Sequence, residues 1–259
     1  MNKRIFLIIA LIVCVLSPSF SQTQIIGHRG FWKTDGSAQN SIAALQKADS
    51  LKLYGSEVDL WLSADGIAVV NHDATITDNG EKLVVQNTTF DRLRKVVLSN
   101  GEPMPTAEEY LDEFVKCKNT KLIIEFKTHA TADQERILTQ KVVDMVNDRG
   151  LQDRVEYIAF GINYLNVLND IAPDAPAYYL NGDMAPNVVK AMGLSGIDYN
   201  LNVIKKYPEW VKECHDLGLK VNVWTVNKME DINIMLDLNV DFITTDEPLL
   251  VKEIIESRK

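Results

Sequence analysis

The strongest constraint on the fold is an alternation that runs the length of the chain, in which short runs rich in β-branched and aromatic residues are followed by longer amphipathic stretches. The runs at 24–28, 56–60, 121–126, 155–160, 177–180, 196–200, 220–225 and 241–244 read as strands. The stretches at 40–53, 107–116, 132–148, 208–217 and 229–238 carry helical periodicity, and Gly55, Gly150 and Gly218 close three of them. This alternation belongs to a parallel sheet, because parallel neighbours need a long crossover between them. Eight strand-helix units over about 235 residues predict a (β/α)8 TIM barrel, which typically takes about 250. The other candidate is a doubly wound open sheet, but no glycine-rich phosphate loop opens a helix here.

One run falls outside the count. Residues 67–71, Ile-Ala-Val-Val-Asn, follow the second strand too closely for a parallel crossover and must return antiparallel. A two-residue turn at Asp65-Gly66 gives a β-hairpin extension after the second strand and places Asp59 opposite His72.

The chain begins with a basic Met1-Asn2-Lys3-Arg4, continues with an apolar run at 5–16, and then reads Ser17-Pro18-Ser19-Phe20-Ser21. This is the pattern of a secretory signal peptide over 1–21, leaving one domain over 22–259. The apolar run is short against the roughly twenty residues that span a bilayer. Cys14 is no lipidation site, since Val13 before it is not small and Val15-Leu16 continue the run. The expected product is exported, periplasmic or extracellular, with no stable membrane insertion after cleavage. Loss of Lys3 and Arg4 takes the formal charge from −9 to −11. An acidic chain with no basic stripe excludes nucleic acid and anionic membrane as partners. At 46% hydrophobic and 24% charged residues, the composition is that of a globular domain with a large core. Cys117 and Cys214 lie far apart without metal-type spacing. They can form one disulfide, but thiols inside helical patterns are more often simply buried.

Two of the four histidines sit in short polar clusters, Gly27-His28-Arg29-Gly30 and Asn71-His72-Asp73, with Glu57-Val58-Asp59 between them. Histidine can carry a proton either way near neutrality. Two carboxylates two residues apart on a strand share a face and can hold one hard cation. In a barrel strand, covered on both sides, such carboxylates need a cation or a partner. His28 and Arg29 end the first strand, Glu57 and Asp59 the second, and Glu125 and Lys127 the third, with His72 folded back by the hairpin. Barrel chemistry gathers at the carboxyl ends of strands, so these side chains face one opening. Glu125 and Lys127 can also be read as an internal ion pair. Trp224 either lines the pocket or packs in the core, and stands as a substrate-binding candidate. His129, in a loop, and His215, on a helix, read as solvated. Asp246 caps the helix near Pro248 or touches substrate.

Taken in order, Gly27-His28-Arg29-Gly30, Glu57-Val58-Asp59, Asp65-Gly66 followed by Val69-Val70-Asn71-His72-Asp73, Pro105-Thr106, Glu125-Phe126-Lys127, Trp224-Thr225-Val226-Asn227 and Asp241-Phe242-Ile243-Thr244-Thr245-Asp246-Glu247-Pro248 resemble the glycerophosphodiester phosphodiesterase family of phospholipase C-like barrels. The order and spacing hold from Ile25 to Pro248. The resemblance implies hydrolysis of glycerophosphodiesters to glycerol 3-phosphate and an alcohol, with one divalent metal ion, Ca2+ or Mg2+. It implies His28 and His72 as the acid/base pair, Glu57, Asp59 and Glu125 as metal ligands, and Arg29 and Lys127 on the phosphate. The partner is then a small-molecule substrate.

Three positions depart from the family pattern. Ala38-Gln39-Asn40 stands where the family usually has Pro-Glu-Asn. Thr77 and Asp78 stand where an arginine is common. The segment from Asp73 to Pro105 is too short for a large capping insertion. The metal and histidine sets are untouched, but the headgroup could differ from the common ones. A glycerophosphoinositol, or a lysophospholipid cleaved in the manner of a phospholipase D, is the alternative substrate. A phosphodiester-binding barrel without turnover is the alternative from another class, although binding alone needs no proton shuttle.

Overall fold

The computed structural model describes residues 22–258, so the signal-peptide reading over 1–21 lies outside the described residues. β1 (Gln24–Gly27) passes through α1 (Ile42–Ser50) to β2 (Gly55–Leu62), and the chain returns as β3 (Ala68–Val70). A side hairpin, β4 (Thr75–Asp78) and β5 (Glu81–Val84), precedes α2 (Phe90–Leu93) and α3 (Ala107–Phe114). Regular alternation then resumes with β6 (Lys121–Phe126), α4 (Ala132–Asp148), β7 (Val155–Ala159), α5 (Ile162–Ile171), β8 (Ala177–Tyr179), α6 (Pro186–Ala191) and β9 (Gly196–Asn200). α7 (Leu201–Lys206), α8 (Glu209–Asp216), β10 (Lys220–Trp224), α9 (Met229–Asp237), β11 (Phe242–Thr245) and α10 (Pro248–Ser257) complete it.

Strands β1, β2, β6, β7, β8, β9, β10 and β11 form a parallel ring that closes where β1 pairs with both β2 and β11. This is a TIM barrel, as the alternation predicts. β3 pairs antiparallel with the end of β2 that outruns β1, Leu60 facing Val70 and Leu62 facing Ala68. Side-chain caps start several helices: Ser41 accepts from the amide of Ala44, Thr131 from that of Gln134, and Thr106 forms a reciprocal capping box with Glu109.

Two apolar layers hold the ring. The larger lies between strands and helices and includes Val58, Leu122, Ile124, Phe126, Val142, Tyr164, Val221, Ile243 and Val251. The smaller fills the barrel interior with Ile26, Ile123, Ile158, Tyr178, Leu180 and Phe242. Each well-buried aliphatic or aromatic side chain contributes about 1.5–3 kcal/mol. The outer layer, with far more of them, therefore carries most of the stability, and the upper interior is left free for polar groups. A separate small core of Trp61, Val69, Leu83, Val85, Leu93, Val96 and Met104 seats the side hairpin beside the barrel mouth. Cys117 and Cys214 are both buried and free, so no disulfide joins them. Among the described residues, no helix is long and apolar enough to cross a membrane.

Candidate active site

Beyond β1 the chain turns sharply, with Arg29 at φ 56° and Gly30 at φ 79°. Gly30 is required: a Cβ there would approach the Ala44 side chain of α1 to 2.6 Å. This turn aims the Arg29 amide at Glu57, N to Oε2 2.6 Å, and its guanidinium at Gln39, 2.6 Å to Oε1. It also sets His28 against Asp246, which follows β11, with Nδ1 2.8 Å from Oδ1. Asp246 takes two further donors, Trp32 Nε1 at 3.0 Å and Asn227 Nδ2 at 2.7 Å. Burial by itself would raise this carboxyl, but the hydrogen bonds and the facing imidazole outweigh it and hold Asp246 at about 2. An ionised Asp246 fixes the proton of His28 on Nδ1 and leaves Nε2 for the cavity that His28 lines. Asp246 is thus not a helix cap; Glu247 occupies that position, with no side-chain cap.

The acid cluster follows from sheet register. Glu57 and Asp59 share a face of β2, and Asp59 pairs with Glu125 across the parallel ladder to β6. One ligand oxygen from each of the three carboxyls lies within 4.8 Å of the others, and all three residues are buried. Lys127 Nζ bridges two of them, 2.6 Å from Glu125 Oε1 and 2.8 Å from Asp59 Oδ1. The second is a charge contact outside hydrogen-bond geometry. Asn40 Nδ2 donates to Asp59 Oδ2 at 2.8 Å, and Arg29 Nε is 3.7 Å from the same oxygen. Glu57 Oε1 is buried with no hydrogen-bond partner. Burial first, then the charges of Asp59 and Glu125, push Glu57 well above the carboxylate range. Burial and Asp59 push Glu125 up to about 7. Asp59 is also buried, but Lys127, His72 and Asn40 more than offset this and hold it low. Crowded oxygen donors with an orphaned lone pair fit a hard divalent cation, which would relieve the repulsion.

His72 is partly exposed, with Nδ1 2.7 Å from Asp73 Oδ1. Burial, with Lys127 and Arg29 nearby, lowers it below the usual histidine range, partly offset by Asp59 and Asp73. It is therefore neutral at pH 7. Its register differs from the sequence expectation: the Asp59 carbonyl accepts from the amide of Asn71, not His72. The loop of β2–β3 has three residues, closed by Ser63 and Ile67, with Gly66 left-handed at φ 80°, where a two-residue turn was expected. The hairpin still delivers His72 to the site.

A cavity of about 280 Å³ opens at the barrel mouth. It is lined by His28, Arg29, Glu57, His72, Glu125, Lys127 and Trp224, with Asp59 directly behind Lys127. Sequence reasoning quoted Asn40 and Asn227 within motifs but gave them no role, and they orient Asp59 and Asp246; it did not single out Asp198, which also lines the cavity. It also misplaced two histidines. His129 is buried, accepting at Nε2 from the Leu62 amide at 2.9 Å and donating from Nδ1 toward the Lys127 carbonyl at 2.7 Å, where Tyr164 also donates. It braces Lys127 from behind. His215 pairs with Asp241, Nε2 to Oδ2 2.9 Å.

Residues 28–250 match the glycerophosphoryl diester phosphodiesterase family. The chain belongs to that family. A glycerophosphodiester phosphodiesterase of Caldanaerobacter subterraneus is 30% identical over 240 residues, covering 88% of this chain and 95% of its own. The crystal structure of a glycerophosphodiester phosphodiesterase from Parabacteroides distasonis superposes with a TM-score of 0.88 at 42% identity, over 92% of this chain and 98% of the other. An Oleispira antarctica phosphodiesterase, solved in complex with the product sn-glycerol-3-phosphate, shares the fold with a TM-score of 0.76 at 20% identity, over 91% and 97%.

Proposed function

We propose that the protein hydrolyses glycerophosphodiesters to glycerol 3-phosphate and an alcohol, with one divalent cation, Ca2+ or Mg2+. The chain is a phosphoric diester hydrolase of the family named above. The observation that carries the reading is the convergence, on one cavity, of a buried three-carboxylate cluster, two cationic side chains and two carboxylate-paired histidines.

Glu57, Asp59 and Glu125 would hold the cation, a role supported by the unpartnered Oε1 of Glu57. When bound, the cation offsets negative charge developing on the non-bridging oxygens of the phosphodiester. Arg29 and Lys127 bind the same phosphate. Gln39 supports this, because it holds the Arg29 guanidinium without adding a second negative charge to that of Asp59, 3.7 Å from Nε. One histidine removes a proton from the glycerol hydroxyl next to the phosphate, and that oxygen attacks phosphorus. The bond from phosphorus to the alcohol oxygen breaks, and the other histidine protonates the departing alcohol. Water then opens the cyclic phosphate with the two proton transfers reversed. Each contributes typically about 10²- to 10⁴-fold. Trp224 forms part of the wall against which substrate lies.

His28→Ala and His72→Ala test the pair with glycerophosphocholine as substrate. Each variant is expected to keep its circular-dichroism spectrum and lose turnover by about 10²-fold or more. Near-normal turnover in either removes that residue from the mechanism. The leader over 1–21 supports export to a periplasm or the outside of the cell, where the mature domain would meet deacylated phospholipid. Terminal sequencing of the exported protein tests that.

A further inference from the structure

Across the barrel from the acid cluster lies a second buried acid that the proposed chemistry does not use. Asp198 is on β9, four strands round the eight-strand ring from β2, so it faces Glu57 and Asp59 across the interior. It is 1% exposed and lines the cavity. Among the described residues it is the only ionisable side chain that β7 to β11 contribute to that lining; its neighbours there are Ile158, Leu180, Trp224 and Thr244.

One carboxyl oxygen of Asp198, Oδ1, has no hydrogen-bond partner. Asn222, paired with Asp198 in register, gives one amide hydrogen to Thr244 Oγ1 at 2.8 Å and does not satisfy Oδ1 of Asp198. Buried polar groups are satisfied in the great majority of structures, and an unpartnered one on a side chain that lines a cavity is a point where a substrate hydroxyl can supply the missing bond. The cavity is too large for a phosphate alone, and the phosphate is claimed by Arg29 and Lys127 on the opposite side.

We propose that Asp198 is a specificity-determining residue that hydrogen-bonds the terminal hydroxyl of the substrate's glycerol, a role that rests on the phosphodiesterase reading above. The ligand chemistry is a neutral polyol end. Burial raises Asp198 to about 8, so at neutral pH it is largely the neutral acid, able both to donate to and accept from a hydroxyl. A cationic headgroup would gain little from a neutral acid, and an anionic group would meet Glu125 nearby. The apolar flank of Ile158, Leu180 and Trp224 suits the carbon chain of glycerol.

The test compares glycerophosphocholine with its terminal-deoxy analogue, propane-1,2-diol 1-phosphocholine, which keeps the hydroxyl next to the phosphate. The parent protein is expected to favour glycerophosphocholine in kcat/KM by about 100-fold or more, since sites built around a substrate hydroxyl reject analogues lacking it. In Asp198→Ala that preference should fall to within about threefold, and Asp198→Asn, which keeps a donor and an acceptor, should retain part of it. The ratio is measured within one preparation, so loss of folded material cancels. A preference absent from the parent protein, or unchanged in Asp198→Ala, overturns the proposal and leaves the phosphodiesterase reading standing. If glycerophosphocholine is not cleaved, the same pair is made with ethanolamine or inositol as headgroup; hydrolysis of none of the three glycerophosphodiesters by the parent protein overturns that reading, and this proposal with it.

Discussion

His28 and Asp246 meet at the seam where the first and last strands of the barrel close, 218 residues apart in sequence, with Nδ1 2.8 Å from Oδ1. The seam makes the pair: β1 aligns Gly27 with Thr245 of β11, so the residue after each strand lands beside the other. Asp246→Asn keeps the shape but loses the charge that fixes the His28 tautomer. Turnover of glycerophosphocholine should fall by about 10²- to 10⁴-fold with little change in KM. A drop of less than about twofold would mean that His28 needs no orienting carboxylate.

The same carboxylate gives acid sensitivity with a defined sign. Asp246 is held at about 2 against an ordinary 3.8, so its ionised form stabilises the native state. That contribution is fully present above the ordinary value and is lost as pH falls through about 2. Urea midpoints of the parent protein should decline between about pH 4 and pH 2, and Asp246→Asn should show a shallower decline over that window.

Cation binding should register in stability as well as turnover. At a cation concentration about 100 times its dissociation constant, stability rises by about 2.7 kcal/mol, which for a domain of this size raises Tm by about 5–10 °C. Glu57→Gln removes one crowded carboxyl, so the metal-free protein should melt at or above the parent's metal-free Tm. The Ca2+- or Mg2+-dependent rise should shrink or vanish. Scanning calorimetry with and without chelator reads both; an equal rise in the two proteins would take Glu57 out of the ligand set.

Gly30 couples backbone geometry to the site. Gly30→Ala puts a methyl group 2.6 Å from the Ala44 side chain at a left-handed φ of 79°. The cost should be about 1–3 kcal/mol in stability. Because the turn also aims the Arg29 amide at Glu57, activity should fall by more than the loss of folded protein explains. Equal losses measured by urea titration and turnover would confine Gly30 to a packing role.

The strands were readable because most are compact runs of β-branched or aromatic residues, and the barrel strands lie within one or two residues of their sequence positions. α6 and α7 were not, since each is only six residues long, and α5 went unread although Tyr164, Leu165 and Leu168 recur at helical spacing. The β4–β5 hairpin did carry a signal: Asn79-Gly80 is a two-residue turn pair, and both residues have positive φ, 50° and 83°. The acid cluster and both histidines were legible because each sits in a local motif. The placement of Asp246 was not, because its partner His28 follows β1, which becomes a neighbour of β11 only when the ring closes; the roles of Asn227 and Asp198 were not, because no local motif shows which side chains meet at the ends of β9, β10 and β11. His129 escaped because a loop position in sequence says nothing of the Tyr164 hydroxyl and Leu62 amide that enclose it.

The most direct test of the account is release of glycerol 3-phosphate from glycerophosphocholine, glycerophosphoethanolamine and glycerophosphoinositol by the purified protein, before chelation, after chelation, and after return of Ca2+ or Mg2+. Release from at least one of them, abolished by chelator and restored by one of the two cations, is the predicted result. No release under any condition, or release indifferent to chelator, would contradict it.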